Sequence, residues 1–133
     1  MNTLFTAIYA KYLASGLPAA GLTGLYNTQA PADAAFPYCV FSLISDVPDW
    51  TFTENFENCL IQFSLFSKPT GADKASSSEV CNLFELLKTM LDFVDLTISG
   101  YTSISLTREM ATLLRVNMVW QYTVTYRILL QDD

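Results

Sequence analysis

The chain contains no histidine, and it carries 7 lysines and arginines against 13 aspartates and glutamates, a net charge of −6 over 133 residues. Without an imidazole, neither a Ser-His-Asp nor a Cys-His mechanism can be assembled within one chain. No basic residue occurs between Lys11 and Lys68, whereas Asp33, Asp46, Asp49, Glu54 and Glu57 all fall there. The remaining cations are scattered singly, so no patch can neutralise a run of phosphates, and specific nucleic-acid binding is not expected. Cys39, Cys59 and Cys81 form no CxxC pair and sit among apolar residues. That pattern reads as free buried thiols in a reducing compartment, not as a disulfide framework or a zinc site. Glycine loops of the GxGxxG or GxxxxGK[ST] type are missing, which removes the usual nucleotide cradles. Asp46, Asp49, Glu54 and Glu57 do not have the spacing of a calcium loop. They read as a solvated hairpin tip. No enzyme, metal or cofactor is therefore expected. The uncharged run Tyr12–Ala32 is long, but Gly16, Pro18, Gly21, Gly24 and Pro31 interrupt it, so no membrane span is expected. Lys11 within the N-terminal apolar stretch and the lack of a basic leader argue against a signal peptide, which points to synthesis in the cytoplasm.

Hydrophobic residues are plentiful at 51%, and charged residues make up 15%, where about 25% is typical. One domain spanning 1–133 can bury a real core. An apolar excess of this size favours subunit interfaces. The alternative is a monomer kept soluble by Ser, Thr and Asn.

The strongest pattern is Val116–Leu130. Val116, Met118, Trp120, Tyr122, Val124, Tyr126, Ile128 and Leu130 alternate with Asn117, Val119, Gln121, Thr123, Thr125, Arg127 and Leu129. A period of two predicts one long strand with the even set, Trp120 included, in the core. Leu4, Phe5, Ile8, Tyr12 and Leu13 predict an N-terminal helix ended by Gly16 and Pro18. After a Gly/Ala/Pro-rich connection, with room for a short strand at Leu25–Tyr26, Pro37–Val47 predicts a strand inside the sheet, ended by Pro48. Asn58–Phe66 predicts a second strand. A second helix, capped by Thr70 with Asp73 or Ser76 with Glu79, follows with the stripe Val80, Leu83, Phe84, Leu87, Leu91 and Val94, and runs to about Phe93. Ile104–Arg108 predicts a third strand. The expected fold is α+β: an antiparallel or mixed four-stranded sheet, two helices packed on one face, order α-β-β-α-β-β, and a long hairpin between the first two strands.

That hairpin, Asp46–Glu57, is the candidate contact element. Its residues Asp46, Asp49, Trp50, Phe52, Phe56 and Glu57 combine acids with aromatics that a solvated loop has no need of. Either a partner covers these aromatics or they fold back on their own sheet.

The segments "LYNTQAPADAAFPYCVFSLIS" (Leu25 to Ser45), "IQFSLFS" (Ile61 to Ser67) and "VWQYTVTYRI" (Val119 to Ile128) resemble the tail-terminator, or tail-completion, family of long-tailed bacteriophages. Leu25–Tyr26, Ala30–Pro31, Pro37–Tyr38, Ile61–Gln62–Phe63 and Trp120 carry the likeness, which spans nearly the whole chain as a pattern of residue types. Asp92, Asp95 and the low basic content depart from the pattern. The resemblance implies a virion subunit at the head-proximal end of the tail, forming a homohexameric ring. Its partners would be the tail tube protein on one side and the head connector or stopper protein on the other. It implies no catalysis, cofactor or metal. Repeated around a ring, the acids would meet passing DNA without gripping it; equally, they would serve solubility. A head-side stopper or adaptor is the nearest rival. A small-ligand module using aromatics near Trp50 and Trp120 is the rival from another class.

Overall fold

The computed structural model describes residues 2–50, 53–69, 77–92 and 94–132. The order is α1 (Asn2–Leu13), β1 (Leu25–Asn27), β2 (Tyr38–Trp50), β3 (Asn55–Ser67), α2 (Ser78–Leu91), β4 (Thr97–Ile98), β5 (Tyr101–Val116) and β6 (Val119–Asp132). The strands form one six-stranded sheet ordered β1-β2-β3-β6-β5-β4. It is mixed, because β1 pairs parallel with β2 while the other pairs are antiparallel. The expected four-stranded sheet in the order α-β-β-α-β-β is therefore wrong. The short strand allowed for at Leu25–Tyr26 is present as β1, and β4 is added at Thr97–Ile98; at three and two residues, both are too short to leave a period in the sequence.

Boundaries differ for identifiable reasons. Pro48 does not end β2, because among the described residues no strand lies beyond it on that side, and an edge strand tolerates a residue without an N–H. β2 thus reaches Trp50 and β3 begins at Asn55, so the expected twelve-residue tip Asp46–Glu57 is mostly paired strand. Nor is β2 interior: among the described residues only β1, at Cys39, Val40 and Phe41, lies on its far side. At the chain's end, Val116–Leu130 is not one strand. Asn117 and Met118 both have positive φ, 50° and 65°, the requirement of a type I′ hairpin turn. The even-odd pattern runs through that turn unbroken and conceals it.

The core lies between one sheet face and both helices. Cys39, Phe41, Cys59, Ile61, Phe63, Leu65, Val124, Tyr126, Ile128 and Leu130 supply the sheet side and are fully or almost fully buried. α1 meets them through Leu4, Ile8 and Tyr12, and its Phe5 ring lies 5.8 Å from Phe41. Leu13 is 60% exposed and falls off the buried stripe. α2 buries Val80, Leu83, Phe84, Leu87, Met90 and Leu91, and Phe84 stacks on Tyr122 at 4.0 Å. Its cap is Ser77, whose side chain makes no capping bond; Thr70, Asp73, Ser76 and Phe93 lie outside the described residues. Two polar clamps hold this helix to the sheet. Ser67 donates to Glu79 at 2.6 Å near its start, and the Tyr126 hydroxyl donates to Asp92 at 2.6 Å at its end. After α1, Leu22 N–H bonds to the Leu17 carbonyl and Gly21 N–H to the Pro18 carbonyl. Gly21 sits at φ 104°, so this is a Schellman turn that needs glycine there. It aims the chain into β1.

Candidate interaction surfaces

At about 3.3 Å per residue, the 16-residue β5 runs about 53 Å and β2 and β3, each of 13 residues, about 43 Å. The helices, of 12 and 14 residues, span only about 18–21 Å. The sheet therefore outruns its helical cover, and its ends are left bare. The β2–β3 turn lies at one end. The β5–β6 turn lies at the other, since Trp120 pairs with Ser67 while Gln131 pairs with Phe56.

The first end contains the residues singled out in the sequence, and the sheet splits them. Past a bulge between Leu43 and Ser45, Asp46 pairs with Cys59, Asp49 with Phe56 and Trp50 with Asn55. Alternation from buried Cys59 puts Asp46, Glu57 and Trp50 on the helix-covered face, and Asp49 and half-buried Phe56 on the other. Phe52 lies outside the described residues. Trp50 is 71% exposed and does not fold back. Asp46 sits 3.7 Å from the Cys59 thiol. Burial, with Asp46 beside it, raises the Cys59 thiol to about 12, and burial raises Cys39 still further. Both thiols are protonated and unreactive at neutral pH. Glu57 is also raised, first by burial and then by the charges of Asp46 and Asp132, while a hydrogen bond from Tyr101 opposes the shift. Among the described residues, no group of three or more ligand side chains is arranged to hold a metal ion.

The second end was not recognised in the sequence. Met110, Leu113, Leu114, Val116 and Met118 are between 38% and 65% exposed, and every residue from Arg108 to Met118 is exposed. The available signal was Asn117, a residue that accepts left-handed φ, followed by a run that is apolar on both sides of it. Trp120, expected in the core, is half-buried at the margin of this end. Its ring packs against the core, Arg115 lies over it at 5.3 Å, and its buried indole nitrogen has no partner among the described residues. Trp50 and Trp120 are separated by the length of β3, about 40 Å. They form no common pocket.

The middle of the face away from the helices is polar and nearly neutral. Ser42, Gln62 and Thr125 form one row across the strands, and Val40, Ser64, Thr123 and Thr112 the next. Ser64 and Thr123 hydroxyls are 3.4 Å apart. Arg127 is held on this face by Glu109 and by Asn58 at 2.7 Å. Residues 28–32 border an open groove of about 520 Å³ over Tyr38, Phe66 and Gln121. No described helix is long and apolar enough to cross a membrane.

No protein-family model matches this chain, and no curated protein matches it by sequence. Among solved structures, it shares its fold with a chain from the virion of a native gene transfer agent particle. The TM-score is 0.77 at 18% identity, over 95% of this chain and 92% of that one.

Proposed function

We propose that this protein is a structural, non-enzymatic subunit of a phage-like virion. Within the particle it is a tail terminator: a ring, hexameric by the resemblance of its sequence, that caps the tail tube and meets the head connector. The observation that carries the reading is a sheet with two bare and unlike ends, one with acids around the exposed Trp50 and the other an exposed apolar hairpin at Met110–Met118, the form expected of a subunit placed between two different neighbours. Likeness in fold to a chain of a virion supports the virion assignment. The neutral Ser/Thr/Gln face supports a lumen role better than the acids do, because Asp46 and Glu57 face the helix side and Asp49 the other. A wall whose arginine, Arg127, is already paired with Glu109 offers passing DNA little to bind.

The test is to purify particles made by the encoding genome and localise the protein by mass spectrometry and labelled electron microscopy. A head-proximal position, with purified protein capping isolated tubes, supports the terminator reading. Binding to portal-bearing heads but not to tubes would make it a stopper or adaptor. Absence from particles would refute the proposal.

A further inference from the structure

Among the described residues, β1 is the outermost strand on one side of the sheet. On the other side β5 is bare from Ser103 to Val116, because β4 pairs only with Tyr101 and Thr102. The short strand and the end of the long one lie at one level. Leu25 is in register with Cys39, Leu65, Tyr122 and Leu113, and Asn27 with Phe41, Phe63, Val124 and Ala111. We infer that the β5 arm of one copy docks on β1 of the next, Leu113 opposite Leu25 and Ala111 opposite Asn27. The Leu113 side chain then enters the apolar groove that α1 leaves beside β1. The inference rests on the ring reading above and names the joint between its subunits.

Three observations select a second copy as the occupant. First, direction and level agree. β1 runs parallel to β2, and β2 runs opposite to β5, since each step β2-β3-β6-β5 is antiparallel. Rotation about an axis along the strands preserves level and direction, so it sets β5 against β1 antiparallel in the register just given. A head-to-tail contact of this kind closes into a ring. Second, the peptide groups turned outward on the two strands face each other. Cys39 N–H bonds to the Gly24 carbonyl and Thr28 N–H to the Phe41 carbonyl, so Leu25 and Asn27, between them, turn their peptide groups away from β2. On β5, the two-residue turn at Asn117–Met118 makes Val116 and Val119 a hydrogen-bonded pair. Counting back by twos, Leu114 and Thr112 bond to β6, whereas Leu113 and Ala111 face the open edge. Leu25 and Leu113 can therefore exchange both bonds, and Asn27 N–H meets the Ala111 carbonyl. The Asn27 carbonyl already accepts Gln29 N–H at 2.8 Å. Third, the side chains have places to go. Leu113, 38% exposed, pairs with Tyr122 and so lies on the helix-covered face. On that face a groove of about 320 Å³ runs beside β1, lined by Phe5 and Tyr9 of α1 and by Leu25 and Phe41. On the other face Thr112 comes opposite Tyr26, and Met110 and Leu114 lie diagonal to it, within reach of an aromatic ring. The Tyr26 ring leans over Gly24, where a Cβ would stand 2.6 Å from the Tyr26 hydroxyl oxygen, and it meets Tyr38 edge-on at 6.1 Å. Val116 and Met118 lie beyond β1 and are left for the neighbour at that end of the sheet.

Disulfide trapping in purified protein reads this register directly. Cys39 and Cys59 are buried, and Cys81→Ser removes the remaining thiol. In that background Asn27→Cys with Ala111→Cys sets two thiols opposite each other across the joint. Their Cα atoms then stand about 5.5 Å apart, within the span of a disulfide. Within one chain the two positions are separated by the strand steps β1-β2-β3-β6-β5, about 19 Å in all, so the bond forms only between copies. Mild oxidation should give a ladder of covalent multimers on non-reducing gels. Leu113→Lys on the arm and Tyr9→Glu in the groove, both at exposed sites, should each abolish the ladder with the circular dichroism spectrum unchanged. Asn27→Cys with Val116→Cys, out of register and on opposite faces, should stay monomeric. No ladder from the matched pair would overturn the inference. So would an equal ladder from the mismatched pair, or as much product from Ala111→Cys alone, which would mean that β5 meets β5. Protein found in particles but giving no matched ladder would leave the virion reading standing and remove only the joint. A matched ladder from protein absent from particles would do the reverse.

Discussion

Replacing Tyr126 by phenylalanine isolates one of the two clamps that fix α2 to the sheet. The ring is fully buried and meets Phe63 edge-on at 5.8 Å, and phenylalanine keeps that contact. What is lost is the hydroxyl bond to Asp92, the residue that caps the end of α2 and also lies 3.6 Å from Arg108. A hydrogen bond to a charged acceptor contributes about 1.5–3 kcal/mol. The Asp92 side chain is 24% exposed and keeps Arg108, so water can take the vacated place, and the lower end applies: about 1.5 kcal/mol. Asp92→Ala should cost more, because it strands the Tyr126 hydroxyl in the core without an acceptor. The double variant should cost less than the sum of the two, since both remove one bond. Urea denaturation followed by tryptophan fluorescence and circular dichroism gives these values, with the slope unchanged if only stability moves. A Tyr126→Phe protein within about 0.3 kcal/mol of wild type, or strictly additive losses, would refute the clamp.

Trp50→Ser should leave stability within about 0.5 kcal/mol, as at other exposed positions, while abolishing tube capping; a large fall in the melting midpoint would show that Trp50 packs on its own subunit. Met118→Gly should raise stability by up to about 1 kcal/mol by relieving a left-handed φ, and should weaken assembly if the exposed methionine is a contact; thermal melts and sedimentation separate the two effects. Trp120→Ala should cost less than the roughly 3–5 kcal/mol of a fully buried aromatic, and Trp120→Phe should be nearly neutral because it removes a buried N–H without a partner; a severe loss for Phe in denaturation would reveal a missed bond. Glu57→Gln should stabilise the protein at neutral pH. The raised carboxyl of Glu57 makes wild-type stability greatest below the ordinary value of 4.5 and lowers it as pH rises through the folded value. The gain should therefore vanish in melts below that pH, and a pH-independent difference would count against the cluster.

Local sequence was sufficient for the apolar stripes of both helices, the inward faces of β3 and β6, and the buried thiols of Cys39 and Cys59, though not for Cys81, which is only half-buried. In each case a period of two or 3.6, or a residue type and its neighbours, carries the information within a few positions. Tertiary structure decided the rest. β4 is two residues long and exists because β5 offers it an edge, and the partner and direction of the short strand at Leu25 are set by β2. The turn at Asn117–Met118 leaves hydrophobic alternation intact, so only a reversal of the chain in space reveals it. The acids at the β2–β3 end looked like one surface, yet the pleat and a bulge send them to opposite faces. Which edges remain open is likewise invisible in the chain, because an unpaired N–H depends on what lies beside a strand rather than on the residues within it.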